Sequence, residues 1–273
     1  MNKRFFDLSY PSVMGVLNCT PDSFSDGGRF IIPGLALRQA IKMVEEGAAI
    51  IDVGGESTRP GAVAVSLQEE LDRVLPVIEA IAAESAVIIS IDTSKAEVMS
   101  AAVRAGAGLI NDVCALQQTG ALQAAVELQV PVCLMHMQGQ PRSMQAQVKY
   151  TNVVQEVLNF LQERVDVCVA AGIDKNNLII DPGFGFGKTL EHNKRLMQQL
   201  NEFVSLGLPV LVGVSRKSMV GTILGKKEVG ERLFGSVALA ALAVWQGAHI
   251  IRAHDVAATV DVVKTIDAIK TVK

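Results

Sequence analysis

Three stretches of the chain follow one pattern: Gly47-Ala48-Ala49-Ile50-Ile51-Asp52, Gly106-Ala107-Gly108-Leu109-Ile110-Asn111 and Gly247-Ala248-His249-Ile250-Ile251-Arg252. A glycine commonly stands just past a helix end, where the backbone turns left-handed, and a short unbroken aliphatic run marks a strand covered on both faces. Each stretch therefore reads as a helix stop, a buried strand and a polar side chain at the strand's carboxyl end. Similar short runs at 13–17, 87–91, 131–135, 178–180 and 209–213 bring the strands to eight. The 3.6-residue apolar spacing predicts helices over 35–46, 67–83, 96–105, 122–129, 153–171, 190–200, 231–246 and 256–270. Eight strand–helix units with no linker-like stretch between them predict one α/β domain over residues 1–273, a single (β/α)8 TIM barrel. The alternative is a doubly wound sheet. Its G-x-G-x-x-G fingerprint should follow the first strand, but Asn18-Cys19-Thr20-Pro21-Asp22 stands there.

The segments after the first two strands, 19–34 and 55–66, exceed the usual βα connection of about two to six residues. Long loops at strand ends usually serve ligands. The helix over 231–246 is apolar nearly all round, which predicts burial inside the subunit or at a subunit contact.

Composition narrows the function. With 273 residues, 49% of them hydrophobic and 19% charged, the chain has enough apolar mass for one large core and is neither disordered nor collagenous. A formal net charge of −3 and no run of Lys or Arg argue against a nucleic-acid partner. The longest unbroken apolar run, 237–245, is far shorter than the ~20 residues that cross a bilayer. The first ten residues lead to Pro11 and not to an apolar signal core, and Cys19, Cys114, Cys133 and Cys168 form no C-x-x-C pair. The expectation is a reduced, cytoplasmic protein without a zinc site or a disulfide framework.

In a parallel barrel all strand ends meet at one mouth. Asn18, Asp52, Asp92, Asn111, His136, Asp181, Ser215 with Lys217, and Arg252 with His254 are expected there. Such a ring is costly unless its charges pair among themselves, for instance Asp92 or Asp181 with Lys217 or Arg252, or meet a polar ligand. The segment Asp181-Pro182-Gly183-Phe184-Gly185-Phe186-Gly187-Lys188-Thr189 looks like a phosphate loop, yet it has three residues between Gly183 and Gly187-Lys188 where a Walker A motif needs four. A nucleotide hydrolase is therefore rejected. Ser215-Arg216-Lys217-Ser218 follows strand seven, where barrels commonly bind anions. Arg252 suits stacking on a flat ring or forking onto phosphate, and His254 can hydrogen-bond a leaving group. Cys19 has no histidine near it in sequence and reads as a packed thiol, not a nucleophile.

These residues resemble those of the bacterial dihydropteroate synthases. Two long signatures carry the likeness: Met14-Gly15-Val16-Leu17-Asn18-Cys19-Thr20-Pro21-Asp22-Ser23-Phe24-Ser25-Asp26-Gly27-Gly28 and Asp52-Val53-Gly54-Gly55-Glu56-Ser57-Thr58-Arg59-Pro60-Gly61. The segment 181–188, Ser215–Ser218 and Arg252-Ala253-His254-Asp255 add to it. The resemblance implies a folate-pathway transferase that joins (7,8-dihydropterin-6-yl)methyl diphosphate to 4-aminobenzoate, works as a homodimer, and is a target of sulfonamides. It implies Mg2+ against the diphosphate, with Asn18 as its ligand and Thr58, Arg252 and His254 near the anion. Asp92, Asn111, Asp181 and Lys217 would hold the pterin, with Arg252 stacked on it. Phe186, Lys217, Ser218 and Pro60 would border the aminobenzoate, and Arg59 and Ala253 complete the substrate-binding set. Asp92, Lys217, Arg252 and His254 are the implied catalytic group. Two rivals share the pterin: the barrel of corrinoid-dependent methyltransferases, and a pterin-binding module without catalysis. The first-loop signature, Thr58-Arg59-Pro60 and Ser215-Arg216-Lys217 favour the synthase.

Overall fold

A computed structural model describes residues 10–20, 32–57, 64–139, 144–145 and 148–271. Its strands are β1 Ser12–Asn18, β2 Ile50–Gly54, β3 Ile88–Asp92, β4 Leu109–Asp112, β5 Val132–Met135, β6 Leu178–Asp181, β7 Leu211–Val212 and β8 Ile250–Ala253. All pair in parallel, in the order β6-β5-β4-β3-β2-β1-β8-β7. A bridge between Ile180 and Val210 joins the two ends of that order, so the sheet is a closed barrel.

Among the described residues ten α-helices surround it: α1 Ile32–Glu45, α2 Leu67–Glu84, α3 Ala96–Ala105, α4 Ala121–Leu128, α5 Val153–Ala170, α6 Leu190–Gln198, α7 Leu200–Val204, α8 Ser218–Leu224, α9 Leu233–Trp245 and α10 Val256–Lys270. Their starts are locally encoded. The Ser66 side chain accepts from the Glu69 amide at the head of α2, and Thr189 with His192 forms a reciprocal capping box at α6. At the other end, Gly106 closes α3 with φ of 124°, a backbone conformation that a side chain would strain.

Strand alternation sorts the interior into layers. Met14, Ile50, Ile88, Leu109, Cys133, Ile179, Leu211 and Ile250, one from each strand, pack together as the barrel floor. Two residues further along, five of the strands carry a polar side chain on the same inward face, Asp52, Ser90, Asn111, Asp181 and Arg252, because side chains on one face recur with period two. The intervening residues, such as Ile51, Ile89, Ile110 and Ile251, face the helices and join the larger shell with Val77, Ile78 and Ile81 of α2. Truncating a fully buried isoleucine of that shell to alanine would cost about 2–5 kcal/mol.

The expected barrel is present, with four differences in detail. β2 runs two residues past Asp52, so that side chain lies inside the barrel and not at its rim. The expected helix over 190–200 breaks at Gln199 into α6 and α7, and α8 was not foreseen because a helix of seven residues carries too little periodicity. The helix expected over 231–246 begins at Leu233 and is not buried all round. Ser236, Ala240, Ala243 and Val244 face inward while Phe234 is 77% and Trp245 55% exposed. Most of the two long loops after β1 and β2 lies outside the described residues.

Candidate active site

The layer above the floor consists of Val16, Asp52, Ser90, Asn111, Met135, Asp181, Gly213 and Arg252, and the rim above it includes Asn18, Asp92 and His254. The register keeps Val16, Asp52 and Ser90 on one level, and Met135 with Asp181 on one level, but steps by one level where Asp92 stands opposite Asn111 and Met14 opposite Arg252, the stagger of a sheared barrel.

Arg252 organises one half of the mouth. Its Nε donates to Asp52 Oδ2 at 2.6 Å and its Nη2 to Asp92 Oδ2 at 2.8 Å, while Asn111 Nδ2 donates to the same Asp52 oxygen at 3.1 Å. Mutual pairing among the rim charges is therefore real, but Asp181 and Lys217 stay outside this triad. Burial works against the Arg252 charge, yet the two carboxylates outweigh it and hold the guanidinium firmly protonated. Burial, and then the negative charge of Asp52, push Asp92 up to about 7. Gly213 leaves room beside this arginine: a Cβ there would sit 3.7 Å from Arg252 Cβ and 3.9 Å from Cδ.

The other half is built by the turn after β6. Asp181 Oδ1 accepts the Gly183 amide at 2.7 Å, the usual way a short carboxylate caps its own turn. Gly183 has φ of 69°, and a Cβ on it would lie 1.9 Å from the His136 carbonyl oxygen, so only glycine fits. Lys217 caps α8 through its backbone, donates its amine to the Phe184 carbonyl, and holds that amine 4.4 Å from the centre of the Phe186 ring. Burial lowers its pKa to about 8, with the Asp181 charge opposing the shift. Burial raises the Asp181 carboxyl in turn, opposed first by the Lys217 charge and then by the Gly183 amide. The charges of these two groups, which follow neighbouring strands, thus act on one another.

Between β7 and β8, His254 donates its amide to Ser215 Oγ at 3.2 Å and places Nδ1 at the same distance from that oxygen. Arg216 (φ 59°) forks onto the Asp255 carboxylate, Nε to Oδ2 at 2.9 Å. Half-buried Asn18 ends β1 and exposed Ser218 opens α8 after β7, one strand apart on the rim. Alternation turns the Ala253 methyl toward the helices, which leaves its backbone for the mouth. Cys19 is fully buried and burial pushes its thiol up to about 12, a packed thiol and no nucleophile. Thr58, Arg59 and Pro60 lie outside the described residues. Lys188 is 3% exposed and points inward, which agrees with rejecting a phosphate loop.

A cavity of about 680 Å3 opens beside Asp92, walled on one side by Val113, Met135, Met137 and Phe160 and on the other by Glu56, Glu70 and Lys95. Its apolar walls escaped the sequence reading. The signal was there, since Val113 and Met135 stand two positions past Asn111 and Cys133 and share their inward face.

A barrel mouth that brings together a carboxylate, an ammonium and a carboxylate-held guanidinium suits a flat heterocycle with both donors and acceptors on its edge, the class of ligand that pterin-binding barrel enzymes take. Over residues 14–254 the chain matches the pterin binding enzyme family. It is 58% identical over 260 residues to dihydropteroate synthase of Haemophilus influenzae, covering 95% of this chain and 94% of that relative. The structure of Yersinia pestis dihydropteroate synthase with a sulfonamide drug superposes with a TM-score of 0.94 at 52% identity, covering 100% of this chain and 99% of the other. That of Xanthomonas albilineans dihydropteroate synthase in complex with 7,8-dihydropteroate gives 0.89 at 47% identity, covering 97% and 96%. The chain belongs to the pterin-binding enzyme family, among its dihydropteroate synthases.

Proposed function

We propose that this chain condenses (7,8-dihydropterin-6-yl)methyl diphosphate with 4-aminobenzoate, yielding 7,8-dihydropteroate and diphosphate in folate biosynthesis. The observation that carries this reading is the Arg252–Asp52–Asp92 triad at the same mouth as the Asp181 carboxylate and the Lys217 amine. The relative that holds 7,8-dihydropteroate supports it.

The pterin's amidine edge offers parallel N–H donors to the Asp181 carboxylate, while its carbonyl and N5 accept from the Lys217 amine. Arg252, pinned at two of its nitrogens, keeps a flat guanidinium face for the ring to stack on. As the carbon–oxygen bond to diphosphate breaks, the bonding pair leaves with the anion. The positive charge left on the methylene carbon spreads into the pterin, so the displacement is dissociative. The arylamine is uncharged at neutral pH and attacks through its lone pair. The proton it sheds on forming the new carbon–nitrogen bond passes to solvent or to the departing anion, and no strong base is required. Phe186 and Lys217 border the aminobenzoate, which is where a sulfonamide would compete.

Among the described residues no group of three or more His, Cys, Asp or Glu side chains is placed to hold a metal. Asn18 supplies a single neutral oxygen, a donor that fits Mg2+ carried largely by substrate phosphates and water. Bound there, the ion would neutralise charge growing on the diphosphate. The exposed Phe234, Leu242 and Trp245 of α9 support a homodimer through that face. Cys19, Cys114, Cys133 and Cys168 are all free thiols, which supports a cytoplasmic setting.

The test is dihydropteroate formation from the two substrates, with and without Mg2+. Release of diphosphate together with the pterin–aminobenzoate product supports the reading. Methyl transfer from a methylated folate instead, or pterin binding without turnover, overturns it.

A further inference from the structure

The turn 181–188 ends on a lysine that the proposed reaction leaves without a task. Lys188 is buried, and its Nζ meets neutral acceptors instead of a carboxylate: His136 Nδ1 at 2.9 Å, the Gly183 carbonyl at 2.9 Å, the Phe186 carbonyl at 3.0 Å and the His136 carbonyl at 3.3 Å. Burial drives the amine well below the ordinary lysine range, against the pull of Asp181. Burial and the neighbouring Lys188 also hold His136 down to about 3, so its ring is neutral and Nδ1 is free to accept. Placing an amine so deep is expensive unless every proton finds an acceptor.

The contacts show what this arrangement secures. Gly183 and Phe186 lie on the two arms of the turn, and His136 follows β5, so one amine ties both arms to the neighbouring strand. Between those anchors lies Phe184, whose carbonyl receives Lys217, and next to it Phe186, whose ring the same amine faces. The outer side of the turn is tied separately, by Asn193 Oδ1 accepting the Gly185 amide at 2.7 Å and by the Tyr150 hydroxyl donating to the Gly187 carbonyl at 3.0 Å.

We propose that Lys188 is a positioning residue for the aminobenzoate side of the mouth: from beneath the turn it fixes the backbone that carries the Phe186 ring. It touches neither substrate. This rests on the function proposed above. Asp181 stands on β6 and Lys217 at the head of α8, both outside the segment whose carbonyls Lys188 holds, so the pterin side depends on Lys188 less.

The experiment is steady-state kinetics in both substrates, with thermal unfolding alongside, for Lys188→Met and Lys188→Gln. In Lys188→Met the KM for 4-aminobenzoate rises about tenfold or more while that for the pterin diphosphate stays within about threefold, since a small misplacement of a binding wall is expensive. Lys188→Gln, which restores two N–H donors, recovers part of the loss. Equal changes in both KM values, or a fall in melting temperature with unchanged kinetics, overturn the inference. If Lys188→Met does not fold, the split in Lys188→Gln decides. If neither folds, the lysine is structural and the inference fails. A wild-type chain that forms no dihydropteroate refutes the proposed function as well, whereas an active wild type with an unaltered KM ratio in the variant refutes this inference alone.

Discussion

Replacing Asp181 by asparagine separates recognition from folding more cleanly than any other change at the mouth. Its Oδ1 already accepts the Gly183 amide at 2.7 Å. An asparagine keeps its one oxygen on that amide, so its NH2 group must take the place of Oδ2 and face the pterin's own N–H donors. One charge-assisted bond is lost and two donors are left opposed, a cost of about 2–5 kcal/mol. That corresponds to roughly 30- to 5,000-fold in Kd. A second effect adds to it. The Asp181 charge opposes the downward shift of the Lys217 amine, which stands at about 8. Removing that charge lets the amine fall further, so Asp181→Asn loses more affinity at pH 8.0 than at pH 6.5. Stability moves the other way. The folded Asp181 carboxyl is raised, so its native form holds more protons than the unfolded one and stability is lost as pH climbs through that interval. The neutral amide removes this penalty, and the melting temperature at neutral pH should not fall. Isothermal titration with a pterin, at both pH values and beside thermal unfolding, checks all three. A Kd within about threefold of wild type would refute the assignment of Asp181 as the pterin's carboxylate.

Arg252→Lys cannot span Asp52 and Asp92 with one ammonium, and kcat/KM should drop by about 30-fold or more, equivalent to ~2 kcal/mol; steady-state rates at wild-type level would show that the fork is dispensable. Pterin affinity should rise with pH as Asp92 ionises near about 7 and fall as Lys217 loses its proton near about 8. Lys217→Arg should erase the alkaline limb, and a flat binding profile between about pH 6 and 9.5 would contradict both assignments. Asp92 also has a stability signature: its folded carboxyl is raised from 3.8 to about 7, so the protein loses stability as pH rises through that window, and Asp92→Asn should flatten the loss in thermal unfolding curves. Phe234→Asp combined with Trp245→Glu should leave a monomer by analytical ultracentrifugation, whereas an unchanged sedimenting mass would show that α9 is not the subunit contact.

The barrel was legible because its punctuation is local. Gly47, Gly106 and Gly247 all adopt positive φ at helix ends, and the aliphatic runs after them are strands. The mouth was legible for the same reason, since parallel strands carry their polar ends to one side. Depth was harder to read. Nothing in Ile50-Ile51-Asp52 says that Val53 and Gly54 remain in the sheet, and so that Asp52 lies a layer below Asp92 and acts through Arg252. The glycines around Lys188 look like a phosphate loop with the wrong spacing, and nothing local says that the backbone they form turns its own carbonyls onto the lysine. Helix α9 carries apolar residues on every side, so no moment in its sequence tells the inward face from the outward one.

The barrel's seams are unequal. Seven strand pairs are stitched by a ladder, but β6 and β7 meet at one bridge, Ile180 to Val210, with the Ile180 amide resting on the Pro209 carbonyl. This weakest stitch separates the strand that ends in Asp181 from the one that leads to Lys217. The gap between the two side chains proposed to grip the heterocycle is thus the cheapest dimension of the whole barrel to retune, by substitutions outside the mouth that leave the other seven pairings in register.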